Sequence, residues 1–135
     1  MNQATPQLVN SKNVSEAKEC ITKTGLIRET PMLCDIGHLF DLPAYINLSL
    51  KLESMQNNGS FKLRGVINQF HEKLKDKSIE DLKLVTFSAG NYGKAFSFLC
   101  NQRNLKGKVL LPSTAAQSRI QYIQVEILNL IKQDN

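Results

Sequence analysis

The 135-residue chain has no tryptophan, and aromatic residues make up only 7% of it. It therefore lacks the stacking array with which many proteins hold single-stranded nucleic acid. Its three cysteines, Cys20, Cys34 and Cys100, are odd in number and far apart, which excludes paired spacing for zinc or dithiol chemistry. His38 and His71 have no carboxylate or cysteine partners at ligand spacing, so no metal site is expected. The seven glycines are scattered with no two adjacent, and neither a P-loop nor a dinucleotide fingerprint is present. No apolar run is long enough to span a bilayer, and the start of the chain carries no secretory pattern. These absences set the expectation of a soluble, cytoplasmic protein with no nucleic-acid or membrane partner.

What is present suits one ordinary domain. The chain is 41% hydrophobic and 21% charged, inside the globular range and large enough to bury a real core. The net charge of +5 comes mostly from lysines spread along the chain. Without an arginine-rich run, these read as solvated faces rather than an anion-binding stripe.

Taken in order, residues 1–13 are polar and aperiodic and read as a loose arm. Asn13 has Glu16 three residues on, the capping-box spacing, and predicts a helix to about Lys23 ended by Gly25. Thr30-Pro31-Met32-Leu33 reads as extended, because proline excludes helix from the residue before it. A short helix is expected over about Asp35 to Asp41, before Pro43.

Ile46, Leu48, Leu50 and Leu52 then alternate with Asn47, Ser49, Lys51 and Glu53, the period-2 signature of a half-buried strand. A polar turn follows. Gly59 permits a tight bend, and Ser60 is a natural N-cap for a helix whose apolar stripe is Leu63, Val66, Ile67, Phe70 and Leu74. Lys62 falls in the first turn of that helix. The positive end of the helix dipole disfavours a cation there by about 0.3–1 kcal/mol, and Arg64 is expected to add to that pressure. The direction matters, because a lysine attacks a carbonyl as the free amine.

The pattern then repeats. Leu84-Val85-Thr86-Phe87 predicts a strand, Ser88-Ala89-Gly90-Asn91 a small polar loop, and Tyr92, Phe96, Leu99 and Cys100 one face of a helix. Gly107 precedes a further strand, Val109-Leu110-Leu111, and another helix begins near Ala116. This alternation is that of an α/β layer with parallel strands. Beyond it, Ile120, Ile123, Ile127, Leu130 and Ile131 fit a helix, while Ile123, Val125 and Ile127 also fit a strand. Both loops lie at carboxyl ends of predicted strands, where open α/β sheets bind ligands. The second precedes a helix N-terminus suited to an anion such as a carboxylate.

Lys51-Leu-Glu53, Gln56, Gly59-Ser60-Phe61-Lys62-Leu-Arg64-Gly65 and then Ser88-Ala89-Gly90-Asn91 resemble the serine/threonine dehydratase branch of the fold-type II pyridoxal-phosphate enzymes, which also includes serine racemase. Thr30-Pro31 and Leu111-Pro112 match spaced landmarks of that family, and the likeness covers about residues 15 to 120. The resemblance implies an α/β fold of the tryptophan synthase β-like type, with parallel-sheet layers. It implies pyridoxal 5'-phosphate as cofactor and a small amino acid as substrate. Lys62 would form the Schiff base, Phe61 and Asn91 would flank the ring, and Ser88, Ala89, Gly90 and Asn91 would hold the substrate carboxylate. The implied reaction turns L-serine or L-threonine into a 2-oxo acid and ammonia. Racemases of this group carry a second serine where Ala89 stands, so dehydration is the favoured chemistry. Tyr92 stands where many relatives carry histidine.

The resemblance also predicts what is missing. Family members are more than twice as long, and their glycine-rich phosphate loop has no counterpart here. Residues 14–124 are expected to be the family-like region, truncated to the smaller domain and N-terminal edge, and 125–135 a divergent apolar tail. By itself such a chain is expected to be a poor enzyme or none. Two other readings stay open: a non-catalytic homologue that binds a full-length relative or a second copy of itself, and a serine racemase-like activity.

Overall fold

The computed structural model describes residues 8–78, 82–126 and 130–133. Residues 1–7 of the expected arm, Ile127 and the last two residues lie outside them.

Helix α1 (Ser11–Lys23) opens on a reciprocal box. Asn10 Oδ1 accepts from the Asn13 N–H, and Asn13 Oδ1 accepts from the Asn10 N–H, both at 3.0 Å. Asn13 is thus the third helical residue and not the cap, so the helix begins earlier than its spacing from Glu16 suggested. Glu16 instead faces Lys12 on the exposed side.

The expected strand over 46–53 is corrected to two residues. β1 (Met32–Leu33) and β2 (Leu50–Lys51) pair antiparallel, with Met32 opposite Lys51. Flanking bonds from the Leu52 N–H to the Pro31 carbonyl and from the Ile36 N–H to the Leu48 carbonyl continue the approach of the two segments. The ladder stops because the partner segment turns away. Asp35 adopts φ 52, and a 3-10 turn at Gly37–Phe40 replaces the expected short helix. Alternation tells which way side chains point, not whether a partner strand runs alongside.

Helix α2 (Lys62–Leu74) buries Leu63, Val66, Ile67 and Phe70 of the predicted stripe, while its last member, Leu74, is only partly buried. Helix α3 (Asn91–Gln102) buries Ala95, Phe96, Leu99 and Cys100. The two helices meet through the edge-to-face pair Phe70–Phe96, with ring centroids 5.5 Å apart. Such a pair adds about 0.5–1.5 kcal/mol to what area burial alone supplies. The parallel sheet joins β3 (Leu84–Phe87), β4 (Gly107–Pro112) and β5 (Leu130–Gln133) in that order, with Phe87 opposite Leu110 and Val109 opposite Leu130.

Val109 and Leu111 point from β4 into the core, where α4 (Gln117–Glu126) adds Ile120 and Ile123. The ambiguous tail therefore divides into a helix to Glu126 and a strand from Leu130. The opposite sheet face is open among the described residues: Val85 is 60% and Phe87 64% exposed. No described helix is long and apolar enough to cross a membrane.

Candidate active site

The turn before α2 is built by short side-chain bonds. Gly59 takes φ +73, which an L side chain rarely adopts. Asn58 and Ser60 on either side of it are buried. Asn58 Oδ1 accepts from the Ser60 N–H at 3.2 Å, and Ser60 Oγ accepts from the Lys62 N–H at 3.1 Å. Ser60 thus satisfies a donor of the first helical turn, as an N-cap does, although Phe61 behind it already has helical dihedrals. Asn58 Nδ2 is buried and meets no protein acceptor.

Lys62 opens the helix on its exposed side, its Nζ lying 5.0 Å from the centroid of the exposed Phe61 ring. That is cation–π range. The next residue, Leu63, is fully buried and seats this turn in the core.

A polar brace fixes the turn to the segment before β1. Arg64 donates from Nε to Glu53 Oε2 at 2.9 Å and from Nη2 to Glu53 Oε1 at 2.8 Å, the two-point fork of an arginine–carboxylate pair. The buried Thr30 donates its hydroxyl to Glu53 Oε1 at 2.6 Å, and Lys51 Nζ donates to the Thr30 carbonyl. Gln56 reads the Arg28 backbone at both ends, accepting its N–H and donating to its carbonyl.

The Arg64 bonds hold the Glu53 carboxyl down at about 2, against the opposing pull of partial burial, and Glu53 in turn raises Arg64. Arg64 was expected to press on the Lys62 amine. Its charge is instead engaged by Glu53, a partner that sequence spacing had left among the motif residues without a role.

The second loop closes around Ser88. Its N–H donates to the Leu110 carbonyl of β4, and its Oγ accepts from the Gly90 N–H at 3.2 Å and the Gly93 N–H at 3.1 Å. A Cβ at Gly93 would stand 2.2 Å from the Ser88 carbonyl oxygen, so the helix start can lie this close only with glycine there. Sequence assigns Gly93 no role; its place two residues after Asn91, in the first turn of the helix, was the available signal.

Asn91 is the first residue of α3 and is exposed, while Ala89 offers its carbonyl to Arg119 Nη1 at 3.4 Å. Tyr92 turns inward and donates to Gln69 Oε1 at 2.6 Å. This bond ties the loop's helix to α2 at a residue about 10 Å of helix rise beyond Lys62.

Among the described residues no group of acidic, histidine or cysteine side chains is placed to hold a metal. A groove of about 910 Å³ lies between α1 and α2, lined by Val14, Ile21, Ile27 and Gly65. Neither Lys62 nor the 88–91 loop lines it.

Comparison with known proteins converges on one group. A catabolic L-threonine dehydratase of Staphylococcus aureus is 32% identical over 120 residues, 87% of this chain and 32% of its own length. An L-serine dehydratase of Dictyostelium discoideum is 34% identical over 85 residues, 61% of this chain and 24% of its own. The crystal structure of serine racemase from Dictyostelium discoideum superposes with a TM-score of 0.75 at 32% identity, covering 92% of this chain and 39% of that one. Diaminopropionate ammonia lyase of Escherichia coli shares the fold, with a TM-score of 0.76 at 20% identity, over 98% of this chain and 41% of that one.

The chain thus has the fold of the fold-type II enzymes while spanning about a third of the length of the L-threonine dehydratase it matches. The family profile described as pyridoxal-phosphate dependent enzyme matches residues 23–126, from the last residue of α1 to the last of α4 and through both loops, and the chain belongs to that family.

Proposed function

We propose that this chain carries the lysine side of a pyridoxal-phosphate site that removes water and then ammonia from L-serine or L-threonine, leaving a 2-oxo acid. The observation that carries the reading is the place of Lys62: it opens α2 on the exposed side, beside Phe61, after a turn fixed by Ser60, Asn58 and Gly59.

The residues present fit two parts of the cofactor. A primary amine suits its aldehyde, and the Phe61 ring and Asn91 amide suit an aromatic ring with a phenolic oxygen. The unpartnered Asn58 Nδ2 is a spare donor in the same turn. The phosphate finds no comparable match, because the positive-φ glycines of the described residues, Gly25 and Gly59, stand singly and far apart.

When bound, the cofactor supplies an electron sink for the pair left at the substrate Cα. Lys62 takes the α-proton as general base. Ser88 keeps its hydroxyl hydrogen for the substrate carboxylate, since its oxygen already accepts from Gly90 and Gly93. Asn91 and the start of α3 complete that anion site. Ala89 has no ionisable group to deliver a proton from the opposite face, which favours dehydration over racemisation. Positioning is what an unanchored phosphate forfeits, so the chain alone turns over slowly or not at all. Its substrates are free amino acids, and the compartment we assign is the cytoplasm.

The test is to purify the chain, add cofactor, and follow the imine absorption together with 2-oxo acid release from serine and threonine. Imine formation that disappears in Lys62→Ala supports the reading. Fast turnover that survives Lys62→Ala defeats it.

One observation favours a second reading, a non-catalytic domain that docks on a longer relative: the open sheet face with exposed Val85 and Phe87. A parallel sheet is ordinarily covered on both faces. Co-elution with a full-length relative on size exclusion supports this reading, and a monomer that ignores the relative counts against it.

A further inference from the structure

Lys62, Leu63 and Arg64 are consecutive, and successive residues of a helix project about 100° apart. Leu63 is fully buried, so Lys62 and Arg64 flank the core-facing direction on opposite sides. Burial of Leu63, Val66 and Ile67 sets which side of α2 faces inward, and because apolar contact is not directional the fine aim of the first turn is left to polar bonds. Gly65, the next residue, adds no lateral contact, since even a Cβ built there would meet nothing within 4 Å.

Beyond the Ser60 bond to the Lys62 N–H, side-chain restraint on this turn comes from Arg64, whose Nε and Nη2 both engage the Glu53 carboxylate. That carboxylate is itself tied to the buried Thr30, and Thr30 to Lys51. A two-point fork resists rotation in a way that a single contact does not.

We infer that the Glu53–Arg64 pair, seated on Thr30, is a rotational stop for the first turn of α2 that aims the Lys62 amine. Glu53 and Arg64 are then positioning residues, acting on Lys62 from the far side of the helix. This rests on the reading of Lys62 as the reacting amine.

The test uses the full chain. Pyridoxal 5'-phosphate is added, adducts are fixed with borohydride, and peptide mapping gives the share carried by Lys62 in the parent, Glu53→Gln and Arg64→Lys. Amide hydrogen exchange along α2 is measured in parallel. Glu53→Gln is expected to lower the Lys62 share about five-fold, as misaimed reacting groups do. It is expected to speed exchange at Lys62 and Leu63 about ten-fold beyond whatever change Val66 to Phe70 show from the loss of global stability, the scale of one lost charge-assisted bond. Arg64→Lys keeps the charge, loses the fork and falls between.

Labelling at Lys62 that is equal in parent and variants overturns this inference alone. Faster exchange spread evenly along α2 also overturns it, since that marks a loss of stability without a loss of aim. A parent that shows no preference for Lys62 sinks the functional reading and this inference together.

Discussion

Arg64 grips Glu53 through two bonds of 2.8 and 2.9 Å, joining the first turn of α2 to the segment that leads into it from eleven positions earlier in the chain. Both side chains are largely shielded, at 30% and 17% exposure. This pair is therefore expected to matter more than the surface pairs Lys12–Glu16 and Lys75–Glu72, which are exposed and worth little.

The pair makes stability depend on acid. Glu53 falls from an ordinary value of 4.5 to about 2 on folding. Its contribution is therefore complete above about pH 4.5 and is lost as the pH falls toward about 2. A shift of that size corresponds to about 2–3 kcal/mol after allowance for partial solvent screening. Urea unfolding between pH 7 and pH 2.5 checks it: Glu53→Gln should start lower at pH 7 and lose less on acidification. Parallel pH profiles for the two proteins would contradict the assignment.

Gly93 and Gly65 offer a matched pair of glycine-to-alanine changes. At Gly93 a Cβ would stand 2.2 Å from the Ser88 carbonyl oxygen, while at Gly65 it would meet nothing within 4 Å. Gly93→Ala should destabilise by about 1–3 kcal/mol, the cost of overpacking, and loosen the 88–91 loop. Gly65→Ala should stabilise by about 0.5–1 kcal/mol, because it replaces glycine inside a helix. Denaturation midpoints that move in opposite directions confirm the two placements.

The cysteines should react in order of exposure. Cys34 is exposed, Cys20 is partly so, and Cys100 is buried with its thiol pushed up to about 12 by desolvation. A thiol reagent at mildly alkaline pH should label Cys34 first and Cys20 more slowly. Cys100 should react only at the rate of unfolding. Equal labelling of all three in the native protein would place Cys100 outside the core.

Much of this architecture was legible because it is local. The stripe of Leu63, Val66, Ile67, Phe70 and Leu74 and the face of Tyr92, Phe96, Leu99 and Cys100 follow from helical period alone, and all proved buried except Leu74 and Tyr92, which are partly so. The parallel layer followed from alternation of strands and helices. The run from Ile46 to Glu53 deceived because period 2 is a property of one segment, whereas a strand needs two. Arg64 was weighed against its neighbour Lys62 because sequence displays neighbours. Its partner Glu53 is reached only after the chain has turned at Gly59. The link between the Lys62 turn and the Ser88 loop came from family likeness, since neither loop is distinctive by itself. Gly93 carries its reason in a backbone approach that no spacing rule reports.

We propose Lys62 as the amine this chain offers to an aldehyde cofactor. The most direct measurement is to treat the chain with substoichiometric pyridoxal 5'-phosphate, reduce with borohydride, and map the adduct by mass spectrometry. The adduct should concentrate on the peptide containing Lys62 and vanish from that peptide in Lys62→Ala without moving to another site. An adduct spread over the exposed lysines, with Lys62 no more reactive than Lys12 or Lys23, would contradict it.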